Sequence, residues 1–181
     1  MAIEAVEREE DQGPFAPIKE VIRLRDETTG NTGRAFARIL NIRHAIPDEI
    51  GLPFEDATRN VAMTMQVKDD LTDIAIDWGR NQNLVIGILQ GLPTERREVE
   101  ERIKQGQRVT KRWLRIHAPQ TFQETYQLYQ MYATRVNPSG DPKLIIMEDI
   151  SAFMFHIGKH LPEMDRVKLW TQIRSGKRGN E

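Results

Sequence analysis

Apolar side chains recur every three or four residues along nearly the whole chain, and no stretch alternates at period two. That pattern predicts helices throughout and no sheet. Pro17 opens a short helix reaching Glu27, because proline suits a first helical turn. The glycine-bearing run 28–33 predicts a turn, from which Thr32 caps a second helix to about His44. That helix buries Phe36, Ile39 and Leu40 and displays Arg34 and Arg38 away from them. Pro47 and Pro53 mark a linker before a long helix over about 54–79, with Phe54, Ala57, Val61, Met65, Leu71, Ile74, Ala75 and Trp78 as its core line. The run 84–91 is apolar enough to be a central helix, and Gly91 with Pro93 stops it. Thr94 then caps a helix over 95–117.

Further helices are predicted over 120–135, on Phe122, Tyr126, Tyr129 and Ala133, and over 143–161, on Ile146, Ile150, Phe153, Ile157 and Leu161. A loop at 137–142 separates them. Pro162 starts the last helix, carrying Met164, Val167, Trp170 and Ile173. The expected fold is all-α, a helical bundle of about six or seven helices with an extended N-terminal arm. Its parts are an arm at 1–16, a single helical domain at 17–174 and a polar C-terminal tail at 175–181.

Charge changes the picture most at the helix expected over 95–117. Between Arg102 and Gln123 stand six Lys or Arg and no Asp or Glu. Lys104, Arg108, Lys111 and Arg115 follow i, i+4, i+7, i+11 and form one helical stripe, with Arg112 beside it. Val99, Ile103, Gly106, Val109, Trp113 and Ile116 lie opposite. Such a helix buries an aliphatic face and offers a cationic row to anions from outside itself. Glu95, Glu98, Glu100 and Glu101 in its first turns suit the helix dipole, so part of the pattern serves helix stability. The net charge is only −1, yet residues 1–100 hold 12 basic and 19 acidic side chains and residues 101–181 hold 14 and 8. That division points to an anionic ligand for the second part, or to subunits docking acidic end to basic end.

At 181 residues, 39% hydrophobic and 29% charged, the chain fits one globular domain rather than a disordered one. With no cysteine it has no disulfide, thiolate nucleophile or Cys-ligated zinc. The first eleven residues are acidic and lack the features of a secretory signal. The longest apolar runs are short, so no membrane insertion is expected.

Three constellations raise chemistry. Asp69, Asp70 and Asp73 match a DDxxD pattern, which resembles the magnesium-diphosphate motif of isoprenoid synthases over these five residues, but no second aspartate-rich helix follows and a solvated acidic face is the better reading. His156 and His160 stand at metal-ligand spacing without a third ligand, and read as surface histidines. Tyr126, Tyr129 and Tyr132 fall within seven residues, among Gln120, Gln123, Gln127 and Gln130. Tyr and Gln offer contact area and hydrogen bonds without a charge to desolvate, so Tyr126, Tyr129, Tyr132, Gln123 and Gln127 are candidate subunit-interface residues. No phosphate loop, nucleophile elbow or catalytic triad is present; the chain does not read as an enzyme, and no cofactor or metal is expected.

In its helical core, its N-terminal arm and its arginines placed on helices, the chain resembles the helical major coat proteins of filamentous double-stranded DNA viruses of archaea. In that family paired coat subunits wrap the genome and hold it in an A-like form. The resemblance implies a structural protein that coats nucleic acid through sequence-independent phosphate contacts. Its partners would be double-stranded DNA and other copies of itself or a related coat subunit, and its location the virion, with the cytoplasm as the alternative. It assigns the phosphate grip to Lys104, Arg108, Lys111, Arg112 and Arg115, with Arg34 and Arg38. The alternative is a helical adaptor or regulatory subunit whose basic stripe binds an acidic protein.

Overall fold

The computed structural model describes residues 16–80 and 82–156, and among these it contains helices and turns without a strand. The arm over 1–15, His160, the helix expected from Pro162 and the tail at 175–181 lie outside the described residues. The all-α architecture is as the periodicity predicts.

Helix α1 (Ile18–Arg25) follows Pro17, whose extended backbone starts it. It does not end at the expected turn. A π-helical turn (Asp26–Gly30) carries the chain straight into α2 (Asn31–Arg43), with right-handed helical dihedrals at Arg25, Gly30 and Asn31. Thr28 and Thr32 donate their hydroxyls backward, to the carbonyls of Leu24 (2.9 Å) and Thr28 (2.6 Å), instead of capping a new helix. The glycines serve helix contact. A Cβ on Gly33 would stand 2.9 Å from the Cβ of Ala62 and 3.1 Å from the Thr58 carbonyl oxygen. Both belong to α3 (Asp48–Thr72), which starts right after Pro47 and takes Pro53 into its second turn.

This approach inverts the expected face of α2. Gly30, Gly33, Ala37 and Asn41 turn toward α3, where Asn41 Nδ2 donates to Gly51 O and to Glu55 Oε1, each at 3.0 Å. Phe36, Ile39 and Ile42 point to solvent, 61%, 63% and 69% exposed. The small residues win the interface because they let the backbones come close. In α3, Ala57, Val61, Leu71 and the following Ile74 are buried as expected, but Met65 and Ala75 are exposed. Met63, Thr64 and Val67 fill the core line instead. The helix stops at Asp73, so 73–79 is turn.

Helix α4 (Leu84–Leu89) has all six residues buried, and Asn83 caps it by accepting from Val85 N (2.9 Å) and Ile86 N (3.1 Å). Around it stand α5 (Pro93–Lys104), α6 (Lys111–His117) and α7 (Pro119–Ala133). A short 3₁₀ turn (Pro142–Leu144) then leads to α8 (Ile145–His156), which packs on α3. One part of the core joins Val21, Met63, Val67, Leu84, Leu128 and Tyr129. A second joins Leu71, Ile74, Val85, Leu89, Val99, Val109 and Leu114. No helix among the described residues is long and apolar enough to cross a membrane.

Candidate nucleic-acid interface

The helix expected over 95–117 is two helices. Gly106 takes φ +68°, its N–H donates to Ile103 O (2.9 Å), and the N–H of Gln107 reaches back to Arg102 O (3.1 Å). These are the two bonds of a Schellman end, with glycine at the one position that needs a left-handed backbone. The chain then runs as a loop to Thr110, whose Oγ1 accepts from Trp113 N (3.1 Å) and starts α6. Val109 is buried between the two helices, against the core around Val99 and Leu114. Gly106 thus lies in no aliphatic face, and the continuous cationic row does not exist.

What remains is a shorter basic patch. Arg108 projects from the loop and Arg112 and Arg115 from α6, all exposed, with Lys111 half-buried beside them. Among the described residues no carboxylate pairs with Arg108, Arg112 or Arg115. Glu95 of α5 is occupied by α7: its oxygens accept from Gln120 N (3.0 Å), Thr121 N (2.8 Å) and Thr121 Oγ1 (2.6 Å). A carboxylate of α5 thereby caps α7 and fixes the bracket that holds α6.

Three residues of the expected phosphate-binding set have carboxylate partners within the chain. Lys104 pairs with Glu100 of its own helix at 2.7 Å, and the hydrogen bond from its ammonium holds the Glu100 carboxyl below its ordinary range. Arg34 pairs with Asp56. Arg38 lies 3.3 Å from Asp48 and 3.2 Å from the buried carboxylate of Glu55. These arginines tie α2 to α3 because the close helix contact swings them toward the acidic start of α3. Arg102 is likewise internal to the loop. Its Nε donates to Arg108 O and its Nη1 to Gln107 Oε1, both at 2.7 Å, and its guanidinium lies over the Trp113 ring.

The tyrosines are mostly core. Tyr129 and Tyr132 are 5% and 4% exposed, and burial pushes the Tyr132 phenol up to about 12. Tyr126 is half-buried and stacks on Tyr129 at 6.0 Å. Of the candidate subunit-interface residues, Gln123 and Gln127 alone are exposed, on the outer side of α7. Helix α7 faces the core with every third or fourth residue, and the tyrosines have that spacing.

The DDxxD aspartates do not converge. Asp70 is buried, its carboxylate accepting from Leu84 N (2.7 Å) and Gln66 Nε2 (2.6 Å) and facing Arg25 at 3.6 Å. Burial raises it to about 6, against the opposing pull of Arg25 and of the Leu84 hydrogen bond. Asp69 is exposed and Asp73 closes the helix, so Asp70 supports the start of α4 rather than a metal. Among the described residues no group of three or more His, Asp or Glu side chains could hold a metal ion.

Comparison with known proteins finds no family model, no curated protein and no solved structure that matches this chain.

Proposed function

We propose that this chain is a self-assembling structural subunit that coats nucleic acid through sequence-independent phosphate contacts, as a virion coat protein does. The observation that carries this reading is the patch around α6. Arg108, Arg112 and Arg115 are exposed and lack carboxylate partners among the described residues, whereas Arg34, Arg38 and Lys104 each have one. Exposed guanidinium groups without internal partners suit phosphate, which neutralises them and releases condensed counterions. The outward face of α2 supports assembly: Phe36, Ile39 and Ile42 form an apolar strip on a chain whose net charge is close to zero.

Binding to short random duplex DNA, measured across salt concentrations, tests the reading. The wild type should bind without sequence preference, with affinity falling steeply as salt rises. Replacing Arg108, Arg112 and Arg115 by Gln should keep the fold, since all three are exposed, and flatten the salt slope by about 0.9 per lost contact. An unchanged slope removes the phosphate grip. A wild type that ignores DNA but captures an acidic protein through the same arginines would instead make it an adaptor.

A further inference from the structure

We propose that the groove between the last turn of α3 and the α5–α6 loop is a seat for a phosphate group, with Lys68 and Arg108 as its cationic walls. A cavity of about 280 Å³ opens there. Lys68 and Thr72 of α3 form one side, and Arg108, Thr110 and Lys111 form the other. Leu71 and Val109, both buried, make the floor, and among the described residues no acidic side chain lines the cavity. The volume lies at the lower edge of small-ligand sites and suits a phosphate group better than a whole cofactor.

Lys68 is the decisive residue. It comes from the acidic first hundred residues, so the charge division of the sequence hides it. A half-buried lysine normally reaches water with its ammonium or pairs with a carboxylate. Lys68 is half-buried, and among the described residues it has no ion pair, although Asp69 is its chain neighbour. It lines the same cavity as Arg108. Like charges over an apolar floor repel one another, and an anion between them turns that repulsion into attraction.

The hydroxyls divide in role. Thr72 already donates to Lys68 O at 3.0 Å, so its hydrogen is occupied. Thr110 Oγ1 accepts from Trp113 N, which leaves its own hydrogen available to a phosphate oxygen. Arg102 holds the Arg108 carbonyl at 2.7 Å and so fixes the loop that presents the Arg108 guanidinium. The seat therefore offers charged donors from two elements, a hydroxyl and a dry floor. This assignment to a backbone phosphate rests on the coat reading above; free inorganic phosphate has the same chemistry, and the test separates the two sources.

The experiment follows the full chain in two assays: thermal unfolding in inorganic phosphate against chloride at matched ionic strength, and duplex DNA binding against salt. Lys68→Gln and Arg108→Gln are compared with the wild type and with Lys19→Gln, an exposed lysine on α1. Phosphate excluded from the protein surface raises every midpoint somewhat, so the rise should be larger in the wild type and in Lys19→Gln than in either groove variant. Each groove variant should bind DNA about eightfold more weakly at 0.1 M salt, which is what a slope of about −0.9 per contact gives over one decade below 1 M. An effect of equal size in the wild type and in both groove variants overturns the seat. If the effect is smaller in the variants while the wild type ignores DNA, the seat stands as a free-phosphate site and the coat reading fails. If the effect is smaller while DNA binding is unaltered, the backbone source is overturned and Arg112 and Arg115 carry the DNA contact.

Discussion

Whether a cation is available to a ligand depends on neighbours that the chain places far away along the sequence. Arg38 meets Asp48 and Glu55, and Arg34 meets Asp56, only because α2 and α3 close on each other. The sequence lists these arginines correctly and cannot say that they are paired. Lys104 was closer to legible, because Glu100 stands one turn before it on the same helix. Asp70 shows the same dependence for an acid. Its carboxyl titrates near 6 in the fold instead of near 3.8, so the folded chain holds that proton more tightly than the unfolded chain. The associated stability is therefore fully present below about 3.8 and lost as pH rises through about 6. Relative to Asp70→Asn, the wild type should gain about 2 kcal/mol in unfolding free energy between pH 7 and pH 4. Denaturant titrations of both proteins across that range measure it, and a constant gap between them would contradict the assignment.

At the scale of elements, periodicity found most helices and misplaced the joints between them. The aliphatic spacing continues through Val99, Ile103, Val109 and Trp113, so a single helix fits the pattern even though the chain turns at Gly106. The available signal was the glycine itself, at the site where a helix end needs positive φ. At 28–33 the error was opposite: glycines read as a turn are the small contact residues of an unbroken helix. Two helix ends now make a paired prediction. α2 ends in the same kind of motif as α5, with Ile46 N bonded to Asn41 O (2.9 Å), but Ala45 occupies the left-handed position at φ 50°. Ala45→Gly should therefore stabilise the fold by up to about 1 kcal/mol, and Gly106→Ala should destabilise it by about the same amount. Thermal or denaturant unfolding measures both, and equal signs for the two changes would refute the argument.

At the scale of the molecule, the all-α class was legible because helical periodicity survives errors at individual joints. The candidate site was half legible: its cations cluster in sequence, but Lys68 joins them only through the packing of α3 against the α5–α6 loop. Periodicity assigns the apolar face of α2 to the core, since it finds a stripe without saying what covers it. If a second copy covers Phe36, Ile39 and Ile42, changing all three to Ser should leave monomer stability nearly unaltered and abolish higher-order species in sedimentation or electron micrographs. Loss of the fold, or assembly that persists, would place the contact elsewhere. Helix α4 carries a different consequence. Six residues are too few to hold a helix in water, and its start depends on Asn83 and on the Asp70 carboxylate of another element. Tertiary packing rather than its own length therefore holds it, so helices distant in sequence stand or fall with this segment.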